Sequence, residues 1–568
     1  MSTLTTDPIA AIAAIEALLQ PLCRSDAPGM IVGINQQGRP LYRRGLGLAS
    51  LEQGVANTPH TRMRLASTSK HFTALAILLL AEDGKLLIDE PVQTYLPELP
   101  RLSAQGPTLR QLMAHTAGWR GHDELWSMAN GLSVQPAGSS LGMMARQGEL
   151  NFEPGTRMIY SNGGYHLLAL TIARVSGLSF AEFLRRRIFE PLGMLDTESV
   201  PSVLDVREGL AGLYVQPPGT PAGTQAPWRR ALYPTEFEGS GSLVSSLGDM
   251  LTWLRHLRSE HKIVGSAQSW QQMLTLNSLS SGEVLPYGFG LCRQPYRGVE
   301  VIHHNGAVTG GGSQMITVPA YGLDIVIMTN GCAAAPAAIA LKLIDLLLAE
   351  HLPETVEASE PRAAASDFPG LIGKSYYDPQ SGRLMRFGEV AQFLGLSLHG
   401  FHALALRRRG DTLWLGMLDM ATSTFEIELA GIEPAEAPER LAVREGGQLQ
   451  HFQRLPDKAP AATALAPQLI GRYRSADLDA DALIALEGGT LMLTIQGRHG
   501  QMRARVQPAS ADVVTLVPID PMLATLTRSV VLNLDRREGQ SGPVSGLRLD
   551  SVRTRHLRFV RVDQGNHP

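Results

Sequence analysis

Ser67-Thr68-Ser69-Lys70-His71-Phe72-Thr73-Ala74-Leu75-Ala76-Ile77-Leu78-Leu79-Leu80 is the stretch on which the reading of this chain turns. A serine hydroxyl is a weak nucleophile until a neighbouring base takes its proton, and a lysine three residues on lies one helical turn away on the same face. The apolar run that follows predicts a buried helix with Ser67 at its N-terminal end, where free N–H groups and the helix dipole favour a developing oxyanion. Burial also disfavours the ammonium form of Lys70 and so favours its action as a base. The same spacing recurs at Ser259-Glu-His-Lys262, which trails a helical segment, is polar and precedes Ile263-Val264-Gly265 rather than an apolar helix. That second pair reads as solvated surface.

Two further elements join Ser67 and Lys70. Tyr160-Ser-Asn162 is the one Tyr-x-Asn of the chain and follows the turn-like Phe152-Glu-Pro-Gly-Thr156. A tyrosine there can shuttle a proton between nucleophile and leaving group, while the asparagine can donate to a substrate amide oxygen and fix Lys70. His304-Asn-Gly306 is the one His-x-Gly, placed where a strand would present its edge ahead of Thr309-Gly-Gly-Gly312. His304 is expected to hydrogen-bond the substrate or the tyrosine, and Gly306 to let the substrate backbone approach closely.

Ser-x-x-Lys, Tyr-x-Asn and His-x-Gly, in that order, resemble the three active-site elements of the serine β-lactamase and penicillin-binding superfamily. Leu109-Arg-Gln-Leu-Met-Ala-His-Thr-Ala-Gly118, Phe189-Glu-Pro-Leu-Gly-Met194, Ser240-Gly-Ser-Leu-Val-Ser-Ser246 and Tyr287-Gly-Phe-Gly-Leu291 look like its landmarks. Typical penicillin-binding proteins carry Lys-Thr-Gly as the third element, a permanent cation, so the titratable His304 makes a substrate carboxylate near the scissile bond less expected. Within the superfamily, the His-x-Gly form, Thr61-Arg-Met-Arg-Leu-Ala-Ser67 and a barrel-like C-terminal part resemble the bacterial D-aminopeptidases. The resemblance implies an enzyme that releases an N-terminal D-amino acid, such as D-Ala, from peptides, amides or esters through an acyl-enzyme, as a homodimer without metal or cofactor. It further implies a specificity loop in the last barrel. By position that loop is Pro518, Ile519, Asp520, Pro521, Met522, Leu523, Ala524, Thr525, Leu526, Thr527 and Arg528, with Asp520 expected to meet the substrate's ammonium group.

Around these motifs the chain reads as a mixed α/β catalytic domain over 1–355 and two antiparallel β-barrels over 366–458 and 467–565. The hairpin Met30–Asn35 and Arg39–Gly45, helices over 70–83, 109–115, 164–175, 180–188, 247–258 and 335–351, and strands near Ile302, Gln314–Pro319 and Leu323–Met328 compose the first. Pro353–Asp367 has the composition of a linker. Short alternating segments broken by Gly, Asp and Pro follow, and the similar openings Gly370-Leu-Ile-Gly-Lys-Ser-Tyr-Tyr377 and Leu469-Ile-Gly-Arg-Tyr-Arg-Ser475 suggest a duplicated module.

The composition excludes several classes. With 50 Lys+Arg against 53 Asp+Glu and a formal charge of -3, no basic field exists to neutralise many phosphates, so nucleic acid is not an expected partner. Three scattered cysteines, Cys23, Cys292 and Cys332, fit buried thiols in a reducing compartment. The N-terminus lacks the pattern of a cleavable leader and no stretch is long and apolar enough for a span, so a cytoplasmic enzyme free of membrane is expected. Gly138-Ser-Ser-Leu-Gly142 matches a nucleophile elbow, but no parallel βαβ series surrounds Ser140. Gly373-Lys-Ser375 lacks the first glycine of a phosphate loop, and the adjacent His303 and His304 point to opposite strand faces, against a zinc site. The alternatives left are an esterase or β-lactamase-like hydrolase of the same superfamily, and a non-catalytic binding protein that keeps the fold.

Overall fold

The computed structural model describes the chain except residues 1–7, 218–219, 221–225, 333, 353–359, 401–402, 417–421, 430–431, 524–529, 537–543 and 563–568. An N-terminal hairpin, β1 (Met30–Gln36) and β2 (Arg39–Leu46), joins four strands from much later in the chain. These are β3 (Cys292–Tyr296), β4 (Val299–Val308), β5 (Gly311–Val318) and β6 (Leu323–Thr329). All pairs are antiparallel, in the order β3-β4-β5-β6-β1-β2. Both faces of the sheet are covered, which is why β1 and β6 read as near-continuous apolar runs rather than alternating ones. Val32, Ile34, Ile316, Ile325 and Ile327 pack with Ile15, Leu19, Ile339, Leu343 and Ile344 of the helices Pro8–Leu19 and Pro336–Leu347. Ile31, Met315, Val326 and Met328 share the larger core with Phe72, Leu75, Leu247 and Trp253.

That larger core is built around the helix α1 (Lys70–Glu82), in which every residue from Lys70 to Leu80 is buried. A helix that is apolar all round has no surface to keep, so it becomes the centre of the domain. Helices Leu109–Met113, α2 (Asn162–Ser176), Phe180–Leu184 and Leu247–Arg258 fall where the apolar spacing placed them. The helices His122–Asn130, Ser139–Ala145 and Ala267–Leu274 lie outside that reading. Each is short, and the signals for them are local, with Asp123 and Glu124 in the first turn of one and Ser266 capping another. Ser140 sits buried in the second of these and bonds His166 Nε2 at 2.5 Å, as a packing contact rather than an elbow.

The C-terminal part forms two antiparallel barrels. The last is a closed eight-stranded barrel from Gly471–Ser475 to Leu557–Val562, each strand pairing its chain neighbour and the last pairing the first. The preceding sheet has nine strands and the same up-and-down order, and is all but closed. Its strands Leu404–Ala405 and Arg407–Arg409 are separated by a single residue and pair opposite neighbours. The linker expected at Pro353–Asp367 lies partly outside the described residues. Among the described residues, no single helix is long and apolar enough to cross a membrane. One expectation is corrected: Cys23 and Cys332, far apart in sequence and only half-buried, meet with their sulfurs 3.6 Å apart, both packed against the core under the two outer helices.

A buried charge cluster ties the three units together. Glu445 of the nine-stranded sheet takes Arg383 of the same sheet, Arg157 of the first unit at 2.7 Å and Arg555 of the last barrel at 2.9 Å. Burial alone would raise the Glu445 pKa, but the three guanidiniums reverse this and hold it well below the usual carboxylate range.

Candidate active site

Ala66 adopts a left-handed conformation at φ 48°, unusual for a residue with a Cβ. The turn it makes leads through a 3₁₀ segment, Ala66–Ser69, straight into α1. From Met63 to Leu80, Ser67 alone is not buried, so the chain opens at that side chain and nowhere else along the run.

Lys70 Nζ is fully buried and lies 3.2 Å from Ser67 Oγ, 2.9 Å from Asn162 Oδ1 and 2.8 Å from the Ser240 carbonyl. Desolvation chiefly, and then the charge of Arg553, push the Lys70 pKa well below its ordinary value, while Asp123 opposes them. A neutral amine has two hydrogens and one lone pair. The two hydrogens go to Asn162 and Ser240, which accept only, and the lone pair is left facing the Ser67 hydroxyl. Lys262, by contrast, donates to the carbonyls of His256 and Leu257, and Ser259 to that of His261, so the second Ser-x-x-Lys pair makes no nucleophile–base contact.

Tyr160 follows the turn at Phe152–Thr156, and its hydroxyl is buried without a hydrogen-bond partner among the described residues. Lys70 Nζ lies 4.6 Å from its ring centroid. Burial raises the pKa of Tyr160, partly offset by the Ser67 hydroxyl and by Arg553. Asn162 opens α2 behind the cap Ser161, whose Oγ accepts the Gly164 N–H. Both ends of the Asn162 amide are occupied: Oδ1 takes Lys70 and Nδ2 donates to Asp123 Oδ2 at 2.7 Å. Nδ2 carries two hydrogens, and the one not given to Asp123 is the donor that the role expected for Asn162 toward the substrate would use.

His304 and Gly306 need correction. Ser161 N–H donates to His115 Nδ1 at 3.0 Å, so the proton of His115 is on Nε2 and goes to Tyr287 Oη at 3.2 Å. The Tyr287 hydroxyl must then donate to His304 Nε2 at 3.1 Å, leaving the Nδ1 proton of His304 for the Asn305 carbonyl at 2.6 Å. Each group in this relay has one donor and one acceptor satisfied, and both histidines are neutral. Burial, then the charge of Lys70, lower the His304 pKa to about 3. His304 is thus bonded to Tyr287, not to Tyr160 or an open cleft, and sets the strand from behind. At Gly306 a Cβ would stand 2.1 Å from the Leu65 carbonyl oxygen and 3.0 Å from Ser67 N, so what approaches closely there is the chain's own nucleophile turn rather than a substrate backbone. β3 pairs with β4 only as far as His303. Beyond it the edge of β4 is unpaired on that side, and its N–H groups, with that of Ser67, supply donors of the kind an oxyanion needs.

Among the described residues, the last barrel reaches the site by the loop Ser551–His556. Asp520 is exposed, and its Oδ1 accepts the N–H groups of Met522 and Leu523, as in an ordinary turn. Pro518 ends a strand and Ile519 is exposed, whereas Ala524, Thr525, Leu526, Thr527 and Arg528 lie outside the described residues. Ser551–His556, between the strands Val544–Asp550 and Leu557–Val562, instead brings the Arg553 guanidinium to 5.1 Å from the Tyr160 ring centroid. The loop is clamped: Asn151 donates to the Arg553 carbonyl and accepts the Arg555 N–H, and Glu124 accepts from both Ser551 and Thr554. Arg553, Asp123, His115 and Tyr287 escape the sequence reading because each lies far along the chain from the motif it serves. Only the landmarks around His115 and Tyr287 mark any of them.

A family model described as Beta-lactamase matches residues 12–349, more than half of the chain. The chain belongs to the beta-lactamase family. Within that family, the D-aminopeptidase of Brucella anthropi is 25% identical over 94% of this chain and 96% of its own length. The D-aminopeptidase of Gluconobacter oxydans is 27% identical over 97% and 99%. The octameric penicillin-binding protein homologue from Pyrococcus abyssi superposes with a TM-score of 0.54 at 20% identity, covering 79% of this chain and 100% of its own, which establishes likeness of fold. Among the described residues there is no group of three or more potential metal-ligating side chains.

Proposed function

We propose that the chain is a serine-type D-aminopeptidase acting through an acyl-enzyme on Ser67. The observation that carries the proposal is the Lys70 amine 3.2 Å from Ser67 Oγ with its hydrogens held by Asn162 and Ser240. Lys70 takes the Ser67 proton as Oγ adds to the substrate carbonyl, and the oxyanion rests on the Ser67 N–H and the open edge of β4. Tyr160, whose hydroxyl has no hydrogen-bond partner among the described residues, passes the proton from Lys70 to the leaving nitrogen, and the C–N bond breaks. Water then adds to the acyl ester, giving its proton back along the same path, and Ser67 is released with the free amino acid. Asp123, ionised beside Lys70 and Asn162, supplies the counter-charge for the substrate ammonium that Asp520 was expected to supply. The near full-length match to D-aminopeptidases supports this substrate class. A homodimer in the cytoplasm belongs to the same reading, tested by light scattering and cell fractionation.

The decisive experiment is hydrolysis of D-alanine and L-alanine p-nitroanilides beside a p-nitrophenyl ester, with wild type and Ser67→Ala. Cleavage of the D-anilide that disappears in Ser67→Ala, with the L-anilide untouched, supports the proposal. Cleavage of the ester alone makes the enzyme an esterase, and full activity in Ser67→Ala removes the nucleophile assignment. Ser259→Ala is expected to behave as wild type.

A further inference from the structure

Among the described residues the cleft holds a cation, Arg553, to which the mechanism gives no contact with substrate. Arg553 comes from the loop Ser551–His556 of the last barrel, yet its guanidinium lies 5.1 Å from the Tyr160 ring centroid.

 Its Nε is buried without a hydrogen-bond partner, and among the described residues no carboxylate or carbonyl takes its terminal nitrogens. The loop that carries it is fixed on both sides of Arg553, by Asn151 and by Glu124. A guanidinium held in place with its donors unspent is built to receive a planar anion. No other cation competes for that role from the strand, because His304 is committed to Tyr287 and to the Asn305 carbonyl.

We infer that Arg553 binds the free carboxylate of the residue that leaves, so that the preferred substrate is a short zwitterionic peptide, a D-aminoacyl dipeptide, rather than a longer peptide or a neutral amide. This rests on the proposed function. Tyr160 hands its proton to the leaving nitrogen, so a group seated on its ring lies on the leaving-group side of the scissile bond. The α-carboxylate of a leaving amino acid is two bonds from that nitrogen, with its oxygens within about 4 Å of it. Asp123 accepts from Asn162, which in turn holds Lys70, so the cleft offers an anion as well as the Arg553 cation, matched to the two ends of a dipeptide. A substrate carboxylate near the scissile bond, less expected from the missing lysine of the third motif, would find its cation in Arg553 of the barrel.

The test compares D-Ala-Gly with D-Ala-Gly amide, which differ only in the carboxylate, in wild type, Arg553→Gln and Arg553→Lys. Wild type is expected to favour the free dipeptide by about 10- to 100-fold in kcat/KM, the range of a charge-assisted hydrogen bond. Arg553→Gln should bring the ratio of the two substrates close to one, and Arg553→Lys should restore part of it. Equal use of acid and amide by wild type overturns the inference, with no variant needed. So does an unchanged ratio in Arg553→Gln, which would assign the residue to the electrostatics of Lys70 and Tyr160. Ser67-dependent cleavage of the D-alanine anilide measures the proposed function separately, so its survival beside an absent carboxylate preference would overturn this inference alone.

Discussion

A lysine acts as a base only if it arrives without its proton, and here that is arranged by what surrounds Nζ rather than by the motif. Ser259 and Lys262 have the same spacing, but Lys262 spends its hydrogens on two carbonyls and never meets Ser259. Because burial lowers the Lys70 pKa, kcat/KM should rise with pH through a point well below the ordinary lysine range and then stay level, as the raised pKa of Tyr160 keeps its hydroxyl protonated. With His304 held to about 3, no step is expected near the usual histidine value of about 6.5. His304→Gln should therefore lower kcat, by about tenfold, while leaving the shape of the pH profile as it was; a limb near neutrality that vanishes in this variant would show that His304 titrates during turnover. Asp123→Asn probes the neighbouring link. Loss of its charge should raise KM for substrates with a free amine by about 10- to 100-fold, and should leave N-acylated ester substrates far less affected, which steady-state kinetics on the two classes would separate.

At the scale of elements, the site is a contact between the turn before α1 and the edge of β4, and Gly306 is where they touch. A methyl group there meets the Leu65 carbonyl oxygen and Ser313 Oγ at 2.1 and 2.4 Å, and the first of these is backbone of the turn that carries Ser67. Gly306→Ala should cost about 1–3 kcal/mol of stability and reduce kcat by at least about 100-fold, as a misplacement of about 1 Å at the nucleophile does. Gly388→Ala, where a Cβ meets nothing within 4 Å, is the matched control and should change Tm and kcat little. The pattern of what could be read in advance follows from the same geometry. α1 was legible because an uninterrupted apolar run has one compact outcome, and the hairpin Met30–Gln36 with Arg39–Leu46 because Gln36-Gln37-Gly38 leaves a turn between two strand-forming segments. The roles of His304 and Gly306 were not, since whether a strand residue faces substrate or its own fold depends on which partner covers its edge, and β3 stops at His303. Arg553 was hidden for a related reason: it is recruited by tertiary clamps through Asn151 and Glu124, which no local pattern announces.

In the whole molecule, the make-up of the site depends on how the barrels are seated, because Arg553, which lies over the Tyr160 ring, and Arg555 share one loop. Glu445 holds Arg555 at 2.9 Å and Arg157 at 2.7 Å, with Arg383 as third partner, and is itself wholly buried. Replacing it by Gln keeps the shape but leaves buried guanidiniums without their counter-charge, and breaking a buried pair in this way costs about 3–5 kcal/mol. The effect has a signed pH dependence. The folded pKa of Glu445 lies below its unfolded value, so its contribution is fully present above the ordinary glutamate pKa of about 4.3 and is lost as pH falls through the folded value. Denaturant unfolding followed across the acid range should show wild type well above Glu445→Gln at neutral pH, with the gap narrowing as the solution is acidified below about pH 4. A gap that stays constant with pH would mean that packing, not charge, is what Glu445 provides. Because the same residue anchors the loop next to Arg553, Glu445→Gln should also weaken any discrimination between D-Ala-Gly and its amide under conditions where the variant remains folded, whereas Arg383→Met, which removes the partner confined to the middle sheet, should lower stability while leaving that discrimination in place.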